Sequence, residues 1–228
     1  MSYDPRTIAY LAEIIYQPME LKAEKVQSIH NTLYNEAEIR YQNFQVAPDG
    51  IHLSNVPERP GAVSSVSFTP DRMVIREELS ATTLEDFAAR VVSVSSIGFK
   101  TLGVQLSLAQ QFAVRSLITP RSVKDSREFL ARRVIAAPEE SWGVLGRPMQ
   151  TVGLSFMFPQ TETDNHMFRV RIETWNQDPR SLWIENVGSF TQPIPIERAP
   201  DLGNFIHSTY QFVTGPVARF LSQFDTQE

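Results

Sequence analysis

The sequence predicts an α+β fold: a predominantly antiparallel, curved sheet with covering helices. Three observations predict it. Short alternating apolar segments follow one another across Pro-Asp turns with no helix between them, which is how meanders read. Apolar stripes at spacings of three and four recur in only a few places, between those meanders. One alternating run, 104–118, is fifteen residues long, against about five or six for an ordinary strand.

Ile8 to Tyr16 reads as the first strand. Tyr10, Ala12, Ile14 and Tyr16 alternate with Leu11, Glu13 and Ile15, so both faces are largely apolar. That pattern predicts a central strand covered on both sides. Pro18 ends it. Residues 19–39 read as a helix with Val26, Ile29, Leu33 and Ala37 on one stripe. Four strands follow, near 41–46, 50–55, 63–69 and 72–79. "APDG" and "TPDR" supply two of the turns, since proline presets φ and glycine tolerates positive φ.

Thr82 followed by Glu85 fits a capping box. Leu84, Phe87, Ala88, Val91 and Val94 form the stripe behind it, and Gly98 reads as the stop. The run 104–118 comes next. At roughly 3.3 Å per residue it must twist, curve or carry a bulge. Its even positions, from Val104, Leu106 and Leu108 to Ile118, read as the more apolar face. A helix near 122–135 is capped by Ser122 or Asp125. Strands at 149–159, 165–176 and 181–190 follow. The last element is a helix over 201–224, capped by Asp201 and kinked or restarted at Gly215-Pro216.

Residues 1–100 thus read β-α-β-β-β-β-α and residues 101–228 read β-α-β-β-β-α. The two halves share an order of elements, not residue identity. The shared order has two readings, chance in an α+β protein or tandem duplication within one compact unit. The half-unit resembles the repeat of the TATA-binding protein in element order, although the second half is one strand short. The resemblance implies two curved antiparallel halves related by a pseudo-two-fold. It carries no function, because no motif accompanies it.

Composition removes several chemistries. There is no cysteine, which excludes disulfides, thiolate zinc sites, iron–sulfur clusters and cysteine nucleophiles. Net charge is −5, with 9 basic and 13 acidic residues in 1–100 and 12 and 13 in 101–228. Neither half has the basic excess expected of a DNA saddle. The N-terminus lacks a basic, then apolar, leader, and no window of about 18 residues is apolar throughout. A cytoplasmic soluble protein without membrane contact is expected. No cofactor or metal is expected either, because no Walker A, dinucleotide-glycine, nucleophile-elbow or zincin motif is present.

Three stretches are candidate sites. In "HMFRVRIETWNQDPRSLWIENVGSF", a five-residue loop over 176–180 pairs Arg171 with Glu185 and Glu173 with Trp183. Phe168, Val170, Ile172, Leu182 and Ile184 then form the core face. Arg169, Arg171, Glu173, Trp175, Trp183 and Glu185 form the other, a candidate partner surface because Trp and Arg favour interfaces. Shifting the register by two would oppose Glu173 and Glu185, which is unfavourable. Arg115, Arg121, Lys124, Arg127, Arg132 and Arg133 form a basic run suited to an anion or nucleic acid. The aromatic final helix, with Phe205, Tyr210, Phe212, Phe220 and Phe224, could enclose an apolar pocket. Asp164-Asn165-His166 reads as a turn. The leading expectation is a non-catalytic binding or accessory protein that acts through protein contacts and self-associates. The alternatives are phosphate or nucleic-acid binding at 115–133, and an apolar-ligand carrier or enzyme with a pocket under the final helix.

Overall fold

The computed structural model describes residues 3–36, 39–162 and 164–226. Within them, α+β is the fold class, and ten strands form one antiparallel sheet that does not close. The first half runs β1 (Arg6–Tyr16), α1 (Ala23–Glu36), β2 (Asn43–Ala47), β3 (Gly50–Ser54), β4 (Val63–Phe68), β5 (Arg72–Glu78) and α2 (Leu84–Leu102). The second opens with β6 (Leu106–Ile118). A short α3 (Ser126–Glu128) passes into a π-helical turn, Phe129–Val134, and α4 (Glu139–Gly143) follows. Then come β7 (Gly153–Phe158), β8 (Met167–Thr174), β9 (Leu182–Phe190) and β10 (Ile194–Pro195). The chain ends in α5 (Asp201–Phe212), a π-helical turn Val213–Val217, and α6 (Ala218–Ser222). Ala37, the last residue of the expected α1 stripe, lies outside the described residues.

The strand order is β2-β3-β4-β5-β1-β6-β9-β8-β7, with the two-residue β10 also beside β6. The first strand of each half is therefore central, and the pair β1–β6 forms a seam. Strands β2 and β7 are the two edges.

Helices α1, α2 and α5 share one face of the sheet. His30 of α1 lies 6.0 Å from the Phe44 ring, Phe87 of α2 stacks on Tyr10 at 5.1 Å, and Phe205 of α5 lies 6.5 Å from Phe112. Beneath them Ile14, Leu53, Ile75, Phe112, Ile172 and Ile184 are buried. Burying an aliphatic or aromatic side chain of this kind contributes about 1.5–3 kcal/mol, so this layer dominates stability.

The opposite face differs from what β1 alone suggested. Leu11, Glu13 and Ile15 remain partly exposed there, so β1 is central but not covered on both sides. Its second apolar row adjoins partly exposed Arg72 and Val74 on β5 and exposed Gln111 on β6.

Several local expectations shift by a residue or two. α2 is capped by Thr83, which accepts from the Asp86 amide, and stops at Gly103 in the left-handed region. Thr82 instead turns its hydroxyl to Glu77 at 3.3 Å. Gly98 sits mid-helix, where a Cβ would come within 3.5 Å of the Phe68 ring. The long strand carries the anticipated irregularity: its register with β1 slips between Ile15 and Tyr16. Beyond that slip the alternation inverts, so Ser107 is buried and Leu106 and Leu108 are exposed. Asp125, not Ser122, caps the short α3 by accepting from the Arg127 amide. Asp201 is the first residue of α5, with Pro200 at the cap position, and the Gly215-Pro216 step is absorbed in a π-helical turn rather than a break. Gly50 has φ +150, and a Cβ there would meet the Phe68 carbonyl oxygen at 2.5 Å, so the Pro-Asp-Gly turn requires glycine. Among the described residues, no helix is long and apolar enough to cross a membrane.

Candidate functional site

On the face opposite α1, α2 and α5, alternation along each strand sets charged residues side by side. The β8–β9 register opposes Arg171 to Glu185 and Glu173 to Trp183. From the other side β6 opposes Arg115 to Glu185. Glu185 is nearly buried between the two guanidiniums, 2.7 Å from Arg115 Nε and 3.8 Å from Arg171. Both cations also lie over the Trp183 ring, at 5.9 and 5.4 Å. Such contacts contribute about 0.5–1 kcal/mol each at exposed sites.

The row continues past the hairpin. Arg171 bonds Glu173 at 2.5 Å, Arg115 reaches Glu78 at 3.4 Å, and Glu78 receives Arg76 at 2.6 Å. Arg76, Glu78, Arg115, Glu185, Arg171 and Glu173 thus form one alternating ladder from β5 to β8. Its three arginines and three glutamates cancel. Of the expected hairpin surface, Arg171, Glu173, Trp183 and Glu185 lie in this ladder or against it. Arg169 stands in the next row, opposite Val187 and Met157, exposed and with no ion partner among the described residues. Trp175 leaves the strand and anchors the turn, its amide donating to the Ser181 carbonyl at 2.9 Å.

The basic run is divided by the fold. Arg115 belongs to the ladder, while the others lie on or near α3. Arg127 is paired with Asp125 at 2.6 Å, and its guanidinium holds that carboxyl below the usual carboxylate range. Arg132 bridges Glu128 and Glu139, Arg133 donates to the Thr226 carbonyl, and the Arg121 amide donates to Asp225. Lys124 is exposed. Most of these cations already serve protein acceptors.

Asp164 accepts from the His166 amide at 2.9 Å and lies 3.1 Å from His166 Nδ1. Ser208 Oγ approaches that same nitrogen at 3.5 Å. Serine and aspartate on one ring nitrogen do not make a proton relay, which needs one on each. Among the described residues, no three His, Asp or Glu side chains are placed to hold a metal ion.

Two further features stand out, and the first was not singled out in the sequence. The first is a buried ion pair. Glu77 is buried on the helix-covered face, bonded to Arg90 of α2 at 2.7 Å and to Ser64 at 2.8 Å. Its signal was visible: Met73, Ile75 and Glu77 alternate, so a carboxylate stands third in a core row. Leu79 and Ala81 just beyond it adopt positive φ, which costs a residue with a Cβ about 1–2 kcal/mol.

The second is an apolar groove of about 320 Å³ between the β7–β8 pair and the final helix. Phe156, Phe158, Val170, Phe212, Val217 and Phe220 are among its walls. It lies where the aromatic final helix suggested a pocket. It also borders the free edge of β7, whose residues are all at least partly exposed. Thr174 donates to the Val152 carbonyl, so by antiparallel alternation Leu154, Phe156 and Phe158 bond inward to β8. Gly153, Ser155 and Met157 direct their amides and carbonyls outward. Residues 151–159, TVGLSFMFP, carry no charge.

No protein-family model matches this chain, and no curated protein matches it.

Proposed function

We propose that this chain is a non-catalytic binding protein that acts through protein contacts, and that its contact element is the free edge of β7. The observation that carries the reading is the coincidence of that edge with the apolar groove. Proteins usually blunt an exposed edge with lysine, internal proline, a bulge or a covering segment. β7 has no charged residue and no proline within it, and Phe158 and Met157 are exposed. A strand laid on such an edge gains main-chain hydrogen bonds, and its alternate side chains enter the neighbouring groove. The ladder supports the same reading negatively: its arginines are matched by carboxylates and leave little free charge for phosphate.

The test is a single proline. Ser155→Pro removes an outward amide while leaving the inward β7–β8 bonds intact. Tagged wild-type and variant protein are recovered from the source cell and their co-purifying proteins quantified. A stoichiometric partner lost with Ser155→Pro is the expected result. Identical profiles from the two would sink the reading.

A second reading has its own observation. The groove's volume and apolar lining suit a small apolar molecule. Native mass spectrometry distinguishes it: an added mass lost on denaturation, unchanged by Ser155→Pro, favours a carried ligand over a strand.

A further inference from the structure

We infer that the strand laid on β7 is β7 of a second copy of this chain, paired antiparallel about a two-fold axis with Ser155 facing Ser155. The inference rests on the strand-addition reading above and names its partner. Three observations select a copy and this register.

The outward-bonding residues are Gly153, Ser155 and Met157, so self-pairing must match odd positions with odd. A register centred on Ser155 also pairs Gly153 with Met157 of the other copy. On the groove side it sets Phe156 beside Leu154 and Phe158 beside Val152. Aromatic–aliphatic neighbours of this kind are favourable cross-strand pairs. Each copy's aromatics then fall at the mouth of the other's groove.

On the opposite face the same register is complementary in charge. Met157 is 61% exposed, and Glu173 leans over Gly153, where a Cβ would lie 2.9 Å from its Cγ, so Met157 of one copy meets the Glu173 stem of the other. Arg169 lies beside Met157 on β8, and Glu173 lies beside Gly153. Pairing therefore sets Arg169 of each copy in the same row as Glu173 of the other. Arg169 is an exposed guanidinium without an ion partner among the described residues, and it is the one that stands beside the free edge.

The neighbouring registers are worse. Moving two residues one way aligns Arg169 with Arg171 of the other copy, and like charges repel. Moving two residues the other way leaves only Gly153 to Ser155 of β7 in register with itself. An isologous contact of this type closes at two copies. It joins two ten-stranded sheets into one.

The chain has no cysteine, which makes the test direct. Ser155→Cys introduces the sole thiol, and in this register two such residues lie about 5.5 Å apart at Cα, within disulfide range. Mild oxidation of Ser155→Cys is expected to give a covalent dimer on a non-reducing gel. Ser67→Cys, on β4 away from the edge, is the control and stays single. Light scattering is expected to find wild-type protein dimeric and Ser155→Pro monomeric with unchanged circular dichroism. If the proline variant fails to fold, Met157→Lys replaces it, since an edge lysine opposes pairing. Wild-type protein that is monomeric, with no crosslink above the control, overturns the inference. So does a dimer that survives both edge variants, or one that dissociates with them yet never crosslinks through Cys at 155. A monomer that still loses another protein on Ser155→Pro leaves strand addition standing and removes only the copy.

Discussion

Glu78 and Arg115 meet at 3.4 Å although a whole strand lies between them. The residue they cross is Ala9, which is opposite Glu78 on one side and Arg115 on the other. A methyl group there is small enough for the two long side chains to lean over it. The only junction of the charge ladder that spans the seam depends on that size.

Ala9→Leu should separate the pair by placing a branched side chain beneath it. Ala9 is buried, and overpacking a filled position typically costs about 1–3 kcal/mol. Ala9→Ser should stay within about 1 kcal/mol, as a change of one small atom. Urea unfolding of the two variants measures this, and a neutral leucine would mean the crossing contributes nothing.

Glu77→Ala should be far more damaging. It strands Arg90, whose side chain is only 20% exposed, beside the core. Breaking a buried pair from one side costs roughly 3–5 kcal/mol. Replacing both partners, Glu77→Leu with Arg90→Met, should recover most of that loss. A single mutant that unfolds at the wild-type urea midpoint would contradict the burial of this pair.

Gly188→Ala tests how α5 sits on the sheet. A Cβ at this position would lie 2.3 Å from Thr209 Oγ1 and 3.0 Å from the Phe190 ring. Thr209 is held from below by Phe205 and its carbonyl receives Asn186 at 2.9 Å, so it has little room to move. The expected loss is about 1–3 kcal/mol, read as a lower melting temperature.

Asp225 predicts an acid-sensitive C-terminus. Burial opposes its ionisation, but hydrogen bonds from Ser122, Tyr3 and the Arg121 amide outweigh that and hold the carboxyl below the usual carboxylate range. A depressed carboxyl contributes its stability above the unfolded value, about 3.9, and loses it as pH falls through the folded value. Hydrogen exchange in residues 218–226 should therefore accelerate, relative to intrinsic rates, as pH falls below about 4. Asp225→Asn should abolish that dependence, and an unchanged profile in the variant would assign the effect elsewhere.

Much of this was legible where neighbours in sequence are neighbours in space. The register of Arg171 on Glu185 follows from alternation and one rule against opposed like charges, and it is the register found. Asp125 reads as a cap because its side chain serves an amide two residues away. What stayed hidden depends on strand order. Alternation shows that 153–158 is a strand but not that it is the last one. Nor does it show that Arg115 would leave the basic run to join Glu185, because β6 and β9 meet across seventy residues. The exposure of Leu106 and Leu108 was lost for another reason: one slipped residue inverts every position beyond it. The groove was anticipated from the aromatic helix alone, but its opening onto a free edge was not.

The seam has a consequence for how the chain acquires its shape. Ala12 pairs with Phe112, and closing a loop of that length has an entropic cost that grows with the separation. The hairpins β3–β4, β4–β5 and β8–β9 close over eight, three and seven residues. Each half can therefore organise around its own local turns before the central strands meet. Joining them then becomes the late, slow event, in keeping with the retarding effect of distant pairings on folding rate. Until it happens, β1 and β6 each present an extra unpaired border, so the period before closure is when this chain is most exposed to pairing with the wrong neighbour.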